Sequence, residues 1–310
     1  MGQGLTLTEP RSASTINMRH QSLPGARWRG KDITLKQSLW QKHIAITQEH
    51  GSWVFLFSPL LIGLFAGGRW TAASGWLVLS ALAVFLFRQP VTVLVKVWSK
   101  RRSTDDLAPA LFWSAVYGAL ALIGLVGLWA HGQARLAILA LPGLPVFVWH
   151  LILVARRAER RQLGVEIVAS GVLALAAPAA FWIGRGALDP MGWWLWALTW
   201  FQSAASIVYA ALRLEQRPWK TLPPVRARLR VAARALAYTG FNLVAVIGLA
   251  LAGVLPPLLP LPFLLQAAET IYGALQPAAG VKPTRIGVRQ LIVSTLFTVL
   301  FIVVWRPSAA

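Results

Sequence analysis

A glutamate stands in the middle of an apolar run. Glu269 lies within FLLQAAETIYGALQ, together with Gln266, Thr270, Tyr272 and Gln276. An ionisable group in such a run is costly to bury and marks a functional site by default. Three-and-four spacing puts Gln266, Glu269, Thr270 and Gln276 on nearly one helix face, which should turn toward the interior of a bundle. Two roles suit Glu269: proton transfer, or structural glue as a carboxyl hydrogen-bonded to a neighbouring helix. A second acid–base candidate is His50, which follows Glu49 where the first apolar run begins. Such a pair can exchange protons, and it equally suits capping and orienting a helix.

Arginines occur in pairs one helical turn apart. Arg285 and Arg289 open one apolar run, and Arg230 and Arg234 open another. Cations at a helix N-terminus meet the positive end of the dipole, an arrangement that an anion relieves. Lipid headgroups or water supply the same relief without a specific ligand. Arg213 and Arg217 instead close a run, where the dipole favours cations. Polar residues also gather in the halves of the runs nearest the basic loops: Glu166, His150, Gln202, Tyr209, Tyr238 and Asn242. Together they suggest a polar cavity open to the cytoplasm. The ligand-binding set expected from these patterns is Arg88, Arg213, Arg285, Arg289, Glu49, Gln202 and Asn242.

The elements that must position these groups are apolar runs at about 52–68, 71–88, 108–130, 135–155, 164–183, 191–212, 233–254, 260–277 and 287–305. Each is long enough, or nearly so, to cross a hydrocarbon core about 30 Å thick. The expected fold is an all-α polytopic transmembrane bundle of about nine spans. Hydrophobic residues make up 56% of the 310, and charged residues only 13%, too few to cover a soluble surface. The sequence has no cysteine, which excludes disulfides, thiolate metal sites and thiol catalysis.

Orientation follows from charge. Of the 30 Lys and Arg, all but Arg69, Arg135, Arg185 and Arg306 fall on one side of a nine-fold alternation. The positive-inside rule makes that side cytoplasmic and puts the N-terminus there. The net charge of +20 therefore reads as membrane orientation and contact with anionic lipid, and not as nucleic-acid binding. Residues 1–45 read as a basic, mostly disordered cytoplasmic arm without a signal peptide. Residues 46–306 form the membrane domain and 307–310 a short tail. Trp70, Trp98, Trp129, Trp182, Trp193, Trp219 and Trp305 fall near expected span ends, where the ring prefers the headgroup level.

The segment ITQEHGSWVFLFSPLLIGLFAG resembles the opening of the YwiC-like family of bacterial integral membrane proteins. Gln48, His50, Gly51, Trp53, Pro59 and Gly63 correspond to its P-K-Q-H-G-A-W-like motif and the apolar run behind it. Glu49 is extra, and Ser52 replaces the usual alanine. FLFRQPVTVLVKVWSKRR is similar to the exit of the family's second span, and VKPTRIGVRQLIVSTLF to its final span, with Gln290 where the family usually has an acidic residue. The likeness covers 46–305. It implies a multi-pass protein of the inner (plasma) membrane and assigns no reaction.

A more distant likeness is to the UbiA-type prenyltransferases, which also have nine spans and a cytoplasmic polar cavity. Those enzymes hold magnesium and a prenyl diphosphate on two aspartate-rich motifs. Here the corresponding loops read FRQPVTVLVKVW and ALRLEQRPWK. With basic residues in place of carboxylates, no magnesium site and no cofactor is expected. An anion site built directly from arginine remains open, since guanidinium grips phosphate with two parallel bonds. The leading expectation is a protein holding an anionic lipid-like or isoprenoid ligand in a cytoplasm-facing cavity, with Glu269 and His50 as candidate proton-transfer groups. The alternatives are a proton-coupled transporter of a small anion and a non-catalytic membrane scaffold.

Overall fold

The computed structural model describes residues 41–46, 51–158 and 162–305, and every regular element among them is helical. A helical turn, Lys42–Ala45, precedes ten longer helices. These are α1 (Ser52–Gly67), α2 (Ala72–Trp98), α3 (Leu107–Ala130), α4 (Gly143–Ala155), α5 (Leu163–Ala174), α6 (Ala176–Arg185), α7 (Met191–Gln216), α8 (Val225–Leu251), α9 (Pro260–Leu275) and α10 (Pro283–Val304). Glu49 and His50 lie outside the described residues.

The expected runs are recovered with shifted ends. α2 continues ten residues beyond 88, through Pro90 to Trp98, because VTVLVKVW is itself apolar enough to keep packing as a helix. α8 begins eight residues early, so Arg226 and Arg228, expected in the loop ahead of it, are helical. Pro178 divides the run 164–183 into α5 and α6. A proline has no N–H to donate to the carbonyl four residues back, here that of Ala174, the last residue of α5.

Among the described residues, seven helical stretches are long and apolar enough to cross a membrane. They include the 3-10 turn Ala134–Ala140 joined to α4, and α5 joined to α6. The expectation of nine such spans is met only in part, since α1 and α9 have 16 residues each and rise about 24 Å. Backbone chemistry sets these limits. Gly68, at φ 77°, turns the chain left-handed and closes α1 with its N–H on Phe65 O. α9 starts at Pro260 and stops before Pro277.

The helix ends segregate. The main core joins the C-terminal part of α1 (Leu60, Leu64), the start of α2 (Ala73), Leu128 of α3, Ile183 of α6, Leu195 of α7, Val246 of α8, Leu259 before α9 and Phe301 of α10. A second cluster joins Tyr209 and Leu212 of α7 to Ala232 of α8 and Ala274 of α9, and a third joins Ile44, Val97 and Ala110. Successive connections thus fall at alternate ends of the bundle. Arg101 donates to Val154 O, tying the ends of α2 and α4 together.

The inner helices are α1, α6 and α7; α1 packs on α2, α5, α6, α7 and α10. The α1–α6 contact is close because Gly63 and Gly67 share a face. A Cβ on Gly67 would lie 3.0 Å from Phe181 O and 3.1 Å from Gly184 Cα. Such small-residue contacts are a main source of packing energy where lipid competes with no hydrophobic effect. Ser58 of α1 adds a buried bond, Oγ to Thr298 Oγ1 of α10, at 2.6 Å. Trp70, Trp98 and Trp129 are well exposed, as headgroup-level rings should be, whereas Trp182 and Trp305 are buried in the core.

Candidate functional site

α7 carries a line of polar groups at three-and-four spacing: Gln202, Ser206, Tyr209, Arg213 and Gln216, all buried. It faces α9, which presents Gln266, Glu269 and Thr270 and then Gly273. Helix periodicity alone places each set on one stripe; their facing registers come from the packing of α7, α9 and α10 on one another.

Glu269 is the centre. Its side chain is 9% exposed, and Arg289 of α10, 45% exposed, clamps it. Arg289 Nε donates to Oε1 at 2.6 Å and Nη2 to Oε2 at 2.7 Å. This two-pronged, charge-assisted geometry is among the stronger hydrogen-bond arrangements available to side chains. Tyr209 Oη donates to the same Oε1 at 2.7 Å. The Tyr272 ring lies 4.3 Å from Arg289 Cζ, within cation–π range. Tyr209 reaches this place because Gly273 has no side chain: a Cβ there would overlap the tyrosine ring and hydroxyl.

Toward the main core the seam is uncharged. Gln266 Nε2 donates to Gln202 O at 2.9 Å and to Ser206 Oγ at 3.0 Å. Gln202 Nε2 donates to the same Ser206 Oγ at 3.1 Å. Gln266 Oε1 is buried and has no hydrogen-bond partner among the described residues. Asn242 of α8 donates to Phe201 O at 2.8 Å.

At the other end the seam closes on backbone. Arg213 is 7% exposed, and its Nη1 donates to Gly273 O at 2.9 Å, Gln276 O at 2.6 Å and Gln216 Oε1 at 3.1 Å. Gln216 Nε2 also reaches Gly273 O, at 3.1 Å, and its Oε1 accepts from Ala278 N at 3.1 Å. Arg217 Nε donates to Val281 O, and Arg228 Nη1 to Leu275 O. The last turn of α9 leaves carbonyls without intrahelical donors, and Arg213 and Arg228 supply them. Arg213 stands where the dipole of its own helix favours a cation. The end it caps belongs to the neighbour.

Of the residues singled out from sequence, Glu269, Arg289, Gln202 and Arg213 therefore share one seam. Asn242 borders it through α7. Arg285, one turn before Arg289, is exposed. Arg88 is on α2, which packs against α1, α3, α4 and α6, whereas the seam is built by α7, α9 and α10. His150 is half-buried on the outer helix α4, and Glu166 is exposed on α5. Sequence reasoning missed Gln216 and Gly273. A glycine one turn after a buried glutamate, and a glutamine three residues after an arginine, were the available signals. Among the described residues no group of three or more His, Asp or Glu lies close enough to hold a metal ion.

Residues 46–181 match the family model described as YwiC-like protein. Through this region the chain is similar to the YwiC-like family. A Bacillus subtilis (strain 168) protein, "Uncharacterized protein YwiC", is 32% identical over 158 residues, covering 48% of this chain and 59% of that relative. The chain thus matches little more than half the length of its curated relative. No solved structure matches it. The YwiC-like match runs from just before α1 into α6. That is narrower than the 46–305 expected from the quoted segments, and it ends before the helices that build the polar seam.

Proposed function

We propose that this multi-pass membrane protein recognises the anionic end of a lipid-like or isoprenoid molecule at the seam of α7, α9 and α10. The reading includes nine crossings on a UbiA-like architecture, with the N-terminus in the cytoplasm and the seam opening to that side. Two observations support the topology. Successive connections gather at alternate ends of the bundle. Among the described residues, Arg69, Arg135 and Arg185 are the basic groups in the connections of the main-core end.

The observation that carries the ligand is Arg289. Its guanidinium fork already holds a carboxylate, yet it stays 45% exposed. Exposed apolar side chains surround it along the chain: Ile271 and Leu275 on α9, Val288 and Ile292 on α10. A phosphate or carboxylate on an apolar tail meets both needs, with the tail along α9 and α10. It would displace Glu269 from the fork, and exposed Arg285 would add a second cation one turn away. Arg213 is no part of this contact, since it is buried and its Nη1 is held by carbonyls at the end of α9.

The test is binding of a polyprenyl phosphate, with the neutral polyprenol as control, by native mass spectrometry of detergent-solubilised protein. R289Q should lower phosphate-dependent retention about tenfold, the scale of one lost charge-assisted bond pair. E269Q should raise it, because the fork is freed. Equal retention by wild type, R289Q and E269Q refutes the reading.

A second reading draws on the same carboxylate. Protonating Glu269 would break the Arg289 clamp, which suits proton-coupled movement of a small anion. Flux into proteoliposomes that follows a pH gradient and vanishes in E269Q would favour it.

A further inference from the structure

The α8 helix has two faces of opposite character. Its inner face is a strict stripe of Ala232, Ala235, Thr239, Asn242 and Val246, all buried. Arg228 begins that stripe and donates to Leu275 O. This fixes the rotation of the helix. On the opposite side lie Arg226, Arg230 and Arg234, all exposed. Among the described residues none of the three makes a hydrogen bond or ion pair. The same outer face continues with Ala237 and then with Phe241 at 61%, Val244 at 70% and Leu251 at 84% exposure.

Three unpaired guanidiniums spaced one turn apart span about 12 Å along the axis, and the apolar face behind them runs about 21 Å further. That is a cationic head followed by a body as long as one acyl chain. Orientation during insertion needs positive charge on the right side, in any loop. It does not need the charges aligned on the outward face, in register with an exposed apolar strip.

We propose that the outer face of α8 is a docking surface for an anionic phospholipid, its headgroup phosphate on Arg226, Arg230 and Arg234 and an acyl chain along Phe241 and Val244. Charge complementarity selects the occupant: guanidinium binds phosphate with two parallel bonds, and a zwitterionic headgroup offsets that attraction with its own cation. The surface lies on a different helix from the Arg289 fork and stands or falls independently of it.

The test uses the full chain purified in a neutral detergent, where the arginines no longer influence insertion. Phosphatidylglycerol and phosphatidylcholine are titrated in, and retention is read by native mass spectrometry. Wild type should retain phosphatidylglycerol preferentially. Each arginine near a membrane surface is worth about a fivefold factor in affinity for anionic lipid. R230Q should therefore weaken retention about fivefold, and R226Q/R230Q/R234Q about a hundredfold, while R69Q, at the opposite end of the bundle, leaves it unchanged. R230Q alters one exposed, unpaired side chain, so it tests the proposal even if the triple variant fails to fold. Equal retention of the two lipids by wild type, or unweakened retention in R230Q, overturns it.

Discussion

Replacing Arg213 by methionine keeps the apolar stem and removes the guanidinium. The structure sets the size of the effect. Nη1 serves three acceptors, two of them backbone carbonyls at the end of α9. Gly273 O retains a second donor in Gln216 Nε2, so its loss is partial. Gln276 is exposed, and water replaces part of what its carbonyl loses. Hydrogen bonds to a charged group contribute about 1.5–3 kcal/mol each, and an acceptor left unpaired in a buried place costs about 1–3 kcal/mol. With one carbonyl doubly served and the other hydrated, the net cost of R213M is about 3 kcal/mol. For a chain of this size, about 2 °C of melting temperature corresponds to 1 kcal/mol, which gives a fall of about 6 °C. Tryptophan fluorescence on heating in detergent reads this directly. R285Q, at an exposed site one turn from Arg289, should melt within about 1 °C of wild type, as surface changes usually do. An R213M protein that melts with wild type would refute the view that this arginine holds the end of α9.

G273A forces Tyr209 away from α9, and overpacking of this kind costs about 1–3 kcal/mol; a fall in melting temperature that is smaller in a Y209A background than in wild type would tie the loss to that contact. G67L inserts a side chain where α1 and α6 backbones meet and should abolish recovery of folded protein, seen as aggregation on size-exclusion chromatography, while G75L at an open position should not. S58A removes the α1–α10 hydroxyl bond, and within a membrane such a bond contributes about 0.6 kcal/mol; unchanged thermal stability within error of 1 °C is therefore expected, and a fall beyond 5 °C would show that Ser58 does more. Reporter fusions after 102 and after 132 should report opposite sides of the membrane; the same side for both would sink the alternation and the orientation built on it.

The helical class and most spans were legible because apolar length is a one-dimensional property. Glu269 was legible for the same reason: a carboxylate in an apolar run is conspicuous without any partner. Its partners were not, because Arg289 and Tyr209 reach it only through the facing registers of three helices, which no single helix encodes. Arg285 and Arg289 look equivalent in sequence. Arg289 turns onto Glu269 while Arg285 is exposed, a division that depends on helix rotation. α2 runs ten residues past Arg88 because the apolar pattern continues through VTVLVKVW. The short lengths of α1 and α9 were nearly legible, in Gly67-Gly68 and in the prolines that bracket α9.

A helix of 16 residues falls about 6 Å short of a typical hydrocarbon core. α9 also presents Leu261, Leu264, Ile271 and Leu275 outward; with nine crossings, as proposed, α9 is one of them and lipid accommodates the shortfall. A short crossing is met by thinning of the adjacent bilayer. Headgroups then dip toward the helix ends, and water follows them. The charge of Arg289 would sit beneath a local dimple rather than deep in oil, which lowers the cost of keeping it there and opens a route by which an amphiphile slides in sideways.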